Sequence, residues 1–239
     1  MSTKKIKPIL KNKHIEDETI IEIGVDEAGR GPMLGRVYSA AVILPKNDIF
    51  KYELLKDSKK FSSEKKINEV ATYIKENCIA YSICFQDEKI IDNINIRNAT
   101  HNAMHLCIEN VINKLKEKDD LYNEFYLLVD GNDFKPYTYL NKKTNIIQQV
   151  NHVLIEGGDN KYCSIAAASI LAKVERDKYV KELCDCYKKL NVYYNLEKNK
   201  GYGTAVHLDG IKNYGISPWH RKTYGCCKEA KLNISDFYL

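Results

Sequence analysis

Apolar positions fall in short, separated runs along this chain. TIIEIGVD (19–26) carries Ile20, Ile21, Ile23 and Val25 and predicts a strand. RVYSAAVILP (36–45) predicts a second strand after a Gly/Pro turn, stopped by Pro45. LLKDSKKFSSEKK (54–66) reads as a polar loop whose Ser62 or Ser63 caps a helix, with Ile67, Val70, Ala71 and Ile74 at helical spacing. CIAYSICF (78–85) is a third strand. From 93 to 116, Ala103, Met104, Cys107, Ile108, Val111 and Leu115 share one face of a long amphipathic helix. FYLLVD (125–130) and HVLIEGGD (152–159) read as buried strands ending in acids. SIAAASILAKVERDKYVKEL (164–183) is another long helix, and TAVHLDGIKNYG (204–215) a shorter one ending at Gly215.

This order predicts an α/β fold, a mixed sheet with helices packed on it. The chain shows neither an internal repeat nor a long linker. Beyond about residue 190 it is rich in Tyr, Asn and Lys and reads as a C-terminal helical extension.

Composition narrows the class. A chain of 239 residues with 44% hydrophobic and 29% charged residues suits one core and a polar surface. A net charge of +5 is compatible with a polyanionic partner without demanding one. The eight cysteines include no CxxC pair, which argues against a zinc site and for free thiols in a reducing, intracellular compartment. The N-terminal 1–19 is basic but has no apolar stretch, so it reads as a flexible tail and not as a signal or membrane segment. The expected location is cytoplasmic, or nuclear where the source has a nucleus.

The candidate chemistry lies in acids. GVDEAGRGP (24–32) sets Asp26 beside Glu27, ahead of Gly29, Arg30, Gly31 and Pro32. Successive side chains on a strand alternate, so the pair shares one site only if the strand ends between them. Asp130 and Asp159 stand at the ends of later apolar runs. Ligands of parallel sheets gather beyond the carboxyl ends of strands. Four carboxylates converging there need a compensating charge, for which a hard divalent cation is suited. On spacing alone, Asp130 and Asp159 are equally readable as turn or capping residues.

GVDEAGRGP resembles the signature of the type 2 ribonucleases H, the ribonuclease HII family. KDSKK (56–60), NIRNATHNAM (95–104), LLVDGND (127–133), GGDNKYCSIAAASILAKVERD (157–177), NKGYGTAVH (199–207) and SPWHRK (217–222) resemble further family segments, in family order. The likeness runs from about Ile20 to Tyr224. It implies a ribonuclease-H-like catalytic domain (20–190), a C-terminal helical extension (191–230) and a terminal tail (231–239). It implies Asp26, Glu27, Asp130 and Asp159 as catalytic carboxylates holding two Mg²⁺ or Mn²⁺ ions. The implied reaction is hydrolysis of the phosphodiester 5′ to a ribonucleotide, in RNA–DNA hybrids and at single ribonucleotides in duplex DNA. It leaves a 3′-hydroxyl and a 5′-phosphate.

The same resemblance implies that Gly29, Arg30 and Gly31 read the 2′-hydroxyl and that Tyr202 stacks on the sugar at the RNA-to-DNA junction. The chain has 17 tyrosines, so only the NKGYGT context singles out Tyr202. Lys59, Lys60, Lys173 and Arg221 are candidate phosphate contacts, with Lys59 and Lys60 of DSKK favoured; a solvated surface charge is the plain alternative. Arg36 stands where the family often has a proline. Cys226 and Cys227 have no counterpart in the pattern.

The enzyme is expected to act as a monomer, away from membranes. In the tail, Lys231, Ile234, Phe237 and Tyr238 have the spacing of a sliding-clamp ligand whose usual Gln is missing; the alternative is a tail folded back on its own domain. Two rivals stay open: a ribonuclease H restricted to hybrids, and a catalytically silent nucleic-acid-binding subunit.

Overall fold

Strands β1 (Ile21–Ala28), β2 (Val37–Ile43), β3 (Ala80–Gln86), β4 (Phe125–Asp130) and β7 (Asn151–Ile155) form one mixed sheet. Its order is β3-β2-β1-β4-β7. These elements come from a computed structural model that describes residues 10–118, 124–141 and 145–237. β1 is parallel to β4, with Val25 opposite Val129, and β4 is parallel to β7. All seven residues of β2 are buried, as a central strand requires. Strands β5 (Thr138–Asn141) and β6 (Ile146–Gln149) form a separate antiparallel hairpin. The hydrophobic pattern does not announce it, because all four residues of β6 are exposed.

The chain divides into two compact units. The first comprises residues up to Glu27, Ser39–Cys84 and Met104–Ala172. The second comprises Ala28–Tyr38, Phe85–Ala103 and the chain from Lys173 onward. Both are discontinuous in sequence.

In the first unit, helix α1 (Glu64–Asn77) is capped by Ser63, whose hydroxyl accepts from the Lys66 N–H at 3.3 Å. Its buried face is Ile67, Val70, Ala71 and Ile74, as the spacing predicts. Helix α2 (Glu88–Lys118), which belongs to this unit only from Met104 onward, is longer than the predicted 93–116 and is broken at Asn95. Its C-terminal half packs Met104, Cys107, Ile108, Val111 and Leu115 against Ile23, Val25, Leu127 and Val129 of the sheet. Leu128 joins Ile155, Tyr162 and Ile165 in a second cluster. Helix α3 (Cys163–Cys186) is buried all round over Ile165–Ala168 and Ile170–Ala172. Gly24 lets the β1 backbone touch the Ser164 backbone; a Cβ there would overlap it.

In the second unit, helices α4 (Lys188–Tyr194), α5 (Leu196–Asn199) and α6 (Ala205–Tyr214) surround Leu190, Tyr194, Leu196, Ile211 and Ile216. Thr204 caps α6. Arg36 lays its guanidinium over Phe85 (3.9 Å) and Tyr179 (4.5 Å). Cys227 is buried in this core, while Cys226 is exposed; all eight cysteines are free. Phe237 is also buried here, edge-on to Trp219 and Tyr193, and Asp236 pairs with Lys189 at 2.6 Å. Tyr238 and Leu239 lie outside the described residues, as does the basic tail up to residue 9. Among the described residues no helix is long and apolar enough to cross a membrane.

Candidate active site

The parallel register brings two carboxylates together. Val25 lies opposite Val129, so Asp26 follows on beside Asp130, on the face opposite the two valines. The expected strand end between Asp26 and Glu27 is not observed: β1 runs on to Ala28, although its ladder with β4 stops at Val25. Extended backbone sends neighbouring side chains to opposite faces, yet the two acids remain coupled. The Glu27 N–H donates to Asp26 Oδ1 at 2.6 Å, and the Glu27 charge acts on the Asp26 carboxyl.

A turn after β7 supplies the next acid. The Gly158 N–H donates to Asp130 Oδ1 at 2.6 Å. A Cβ at Gly158 would lie 2.5 Å from Ile165 Cδ1 and 3.2 Å from that same oxygen, which accounts for glycine there. Asp159 follows, 5% exposed. The Asn160 amide donates to Asp159 Oδ1 (2.9 Å) and to Asp57 Oδ2 (3.2 Å). Asp57 and Ser58 of the DSKK turn are therefore part of the same constellation. Ser169 of α3 donates to the Asp26 carboxylate and lies 3.2 Å from the Ser58 hydroxyl. Sequence reasoning misses Ser169, Asp57 and Asn160; the one signal for Ser169 is a hydroxyl recurring in an otherwise apolar helix stretch.

The electrostatics follow from this crowding. Burial, then the charges of Glu27 and Asp130, push the Asp26 carboxyl well above the usual carboxylate range. Burial, then Asp57 and Asp130, raise Asp159, against the pull of Lys59 and Asn160. Burial also acts to raise Asp57, but hydrogen bonds from the Lys59 N–H and Asn160, with the charges of Lys59 and Lys60, leave it lowered. Asp130 thus acts on both Asp26 and Asp159. Among the described residues no group of three or more His, Cys, Asp and Glu side chains is placed to hold a metal ion as it stands. The donor chemistry nevertheless fits a hard divalent cation: every candidate ligand is an oxygen, and Asp26 is raised by burial and then by the like charges of Glu27 and Asp130.

The second unit holds the other candidates. Gly29 is buried with φ +95°, and a Cβ on it would meet Arg176 Nε at 2.5 Å and Cδ at 2.6 Å. Arg30 and Gly31 are exposed. A Cβ on Gly31 would stand 3.3 Å from the Tyr202 ring, so Gly31 and Tyr202 face each other. Tyr202 is 51% exposed. Beneath it, Arg176 is 2% exposed, with its guanidinium 5.8 Å from the Tyr202 ring centre and Nη2 donating to the Lys200 carbonyl at 2.5 Å. Sequence reasoning misses Arg176.

The basic candidates separate. Lys59 is exposed. Lys60 is tied to Asn160 and lies 3.7 Å from Asp57. Lys173 pairs with Asp177. Arg221 is wholly buried, so the expected phosphate contact is corrected: its guanidinium is spent on backbone carbonyls.

The fold places the chain in a known class. The ribonuclease H2 of Pyrococcus horikoshii OT3 shares it with TM-score 0.66 at 20% identity, over 87% of this chain and 95% of that one. The ribonuclease HII of Archaeoglobus fulgidus, solved in complex with PCNA, shares it with TM-score 0.61 at 24% identity, over 86% and 95%. These likenesses show that the mixed sheet with its flanking helices is a fold shared with those structures. The family profile described as Ribonuclease HII matches residues 23–227. Ribonuclease HII of Parabacteroides distasonis is 44% identical over 204 residues, 85% of this chain and 89% of that protein. The chain belongs to the ribonuclease HII family, and with it to the endonucleolytic hydrolases of the ribonuclease H type.

Proposed function

We propose that this enzyme cuts the phosphodiester immediately 5′ of a ribonucleotide, in RNA–DNA hybrids and at single ribonucleotides embedded in duplex DNA. The observation that carries the reading is the parallel register that sets the buried Asp26 beside Asp130, where burial and then the charges of Glu27 and Asp130 raise the Asp26 carboxyl. Asp26, Glu27, Asp130 and Asp159 would hold two divalent ions, Mg²⁺ or Mn²⁺, which supply activation of a water and stabilisation of the departing oxygen. The chain's own groups do the positioning. Ser169 orients Asp26, and the Gly158 amide orients Asp130. Water adds to phosphorus, the P–O3′ bond breaks, and the 3′ oxygen leaves as a hydroxyl, with the phosphate kept on the 5′ end of the ribonucleotide.

Gly29, Arg30 and Gly31 present backbone to the 2′-hydroxyl, the group that separates RNA from DNA. Tyr202 offers an exposed ring for the sugar at the junction. Lys59, exposed on its turn, would contact a phosphate. In this reading 20–190 carries catalysis, 191–230 is a helical extension, and the enzyme works inside the cell as a monomer. A clamp partner for 231–239 draws support from the archaeal relative solved with PCNA, but asks Phe237 to leave its buried seat. Calorimetric clamp binding that disappears with 231–239 removed is the check.

The test is cleavage of a labelled DNA duplex carrying one ribonucleotide, beside an RNA–DNA hybrid and an all-DNA duplex, with Mg²⁺ or Mn²⁺. The expected result is a cut just 5′ of the ribonucleotide and none in DNA. In Asp130→Asn the rate falls on the order of a hundredfold or more. Cutting of the hybrid alone would move the enzyme to the hybrid-restricted class.

A further inference from the structure

Among the described residues Arg221 is the largest wholly buried side chain, and it is a cation. A buried charge is costly unless it is hydrogen-bonded on every side. Here the partners are backbone carbonyls. Nε donates to Gly35 O at 2.8 Å, and Nη2 donates to Gly29 O at 2.6 Å. Nη1 donates to Pro32 O at 2.7 Å and Arg30 O at 2.9 Å. It also reaches the Tyr224 hydroxyl at 3.2 Å, and that hydroxyl donates to the same Arg30 carbonyl at 2.9 Å. The Arg221 N–H further donates to Met33 O at 2.8 Å. Burial lowers the guanidinium to about 10, so it stays charged at neutral pH.

This clamp has a directional consequence. Among the described residues there is no cis peptide, and in a trans peptide the C=O and the following N–H point in opposite directions. Turning the Gly29 and Arg30 carbonyls onto Arg221 therefore turns the N–H groups of Arg30 and Gly31 away from it. Both residues are exposed, and Gly31 carries no side chain to stand between its amide and a ligand.

We propose that Arg221, assisted by Tyr224, is the positioning residue of the ribonucleotide-reading loop, fixing the Arg30 and Gly31 amides outward as donors to a 2′-hydroxyl. This rests on the proposed reading of Gly29–Gly31 as the element that meets that hydroxyl. Holding the donors in place before substrate arrives removes an ordering cost from binding. A lysine cannot replace the arginine, because a single ammonium has no planar fork to span carbonyls on several sides.

The test uses Tyr224→Phe, which deletes one hydroxyl and keeps the ring that packs by Val37, Ile91 and Ala99, together with Arg221→Lys. Binding of a duplex with one ribonucleotide and of the identical all-DNA duplex is measured with Ca²⁺ in place of the catalytic metal. Hydrogen exchange is followed at the Met33 and Gly35 amides, which donate to Gly201 O and Trp219 O. Both variants should exchange faster there. Preference for the ribonucleotide duplex should fall several-fold in Tyr224→Phe and close to unity in Arg221→Lys, with affinity for all-DNA duplex unchanged. Wild-type preference surviving in a folded Arg221→Lys, or in Tyr224→Phe if the lysine variant does not fold, overturns the clamp alone. A wild-type enzyme that binds both duplexes alike overturns the substrate reading and the clamp with it.

Discussion

Gly29 and Gly31 are two residues apart and carry different constraints. Gly29 has φ +95° and no room for a Cβ against Arg176; Gly31 has an ordinary φ and only the Tyr202 ring nearby. Gly29→Ala should therefore cost about 1–3 kcal/mol of stability, from backbone strain and the displaced arginine. Gly31→Ala should fold within about 0.5 kcal/mol of wild type. Its cleavage at a single ribonucleotide should nevertheless drop on the order of tenfold or more, because a misplaced sugar is not attacked. Urea unfolding and kcat/KM separate the two effects. Asp26 offers a second dissociation of stability from activity. Its charge is opposed by burial, Glu27 and Asp130. Asp26→Asn removes that repulsion while its amide oxygen still accepts from Ser169. The variant should lose at least about a hundredfold in cleavage without melting earlier in metal-free buffer. Earlier melting would show that the carboxylate is compensated by something else.

Among the elements, α2 has the clearest sequence–structure logic. Its break at Asn95 takes φ 66°, a region that Asn tolerates better than most residues, and the Asn95 side chain caps the Asn98 N–H at 3.0 Å. The cap explains why helical spacing becomes legible only from about residue 93, although the helix begins at Glu88. Asn95→Ala should cost about 2 kcal/mol, combining the lost cap with left-handed strain, whereas Asn95→Gly should cost a few tenths. Equal losses in urea unfolding would refute that split. Elements that bury a periodic face were readable, as Ile67, Val70, Ala71 and Ile74 show. The β5–β6 hairpin and the short α4 and α5 were not. β6 buries nothing, and the two short helices each offer too few apolar positions for a period to emerge.

At the scale of the whole molecule, a buried histidine pair sets an acid limit on stability. His207 Nδ1 lies 2.9 Å from the Tyr202 carbonyl and must carry the proton, so its Nε2 accepts from His220 Nε2–H at 3.0 Å. His220 Nδ1 in turn accepts from the Ser217 N–H. A further proton on either ring sets donor against donor. Burial lowers both histidines, and the neighbouring His207 lowers His220 further. The unfolded chain then binds protons first. Stability from the pair is complete above about pH 6.5 and is lost as pH falls below it, by about 1.4 kcal/mol per pH unit for each ring still neutral. Asp26 and Asp159, raised by burial, act in the opposite sense. The check is thus the stability change between pH 7.5 and 5.5 compared with His220→Asn, which should lose less. What the sequence by itself determined was local: the strands and long helices, the Asp26–Glu27 pair before a Gly-rich turn, and the family to which those motifs point. These depend on residues near one another in the chain, through periodicity, caps and turn chemistry. Only the tertiary structure set Asp26 beside Asp130 through a parallel register, added Asp57 and Ser169, and packed Arg176 under Gly29. It also turned Arg221 from a candidate phosphate contact into the core of a loop clamp. Those outcomes depend on which distant segments share a desolvated space, and neither side-chain type nor spacing encodes that.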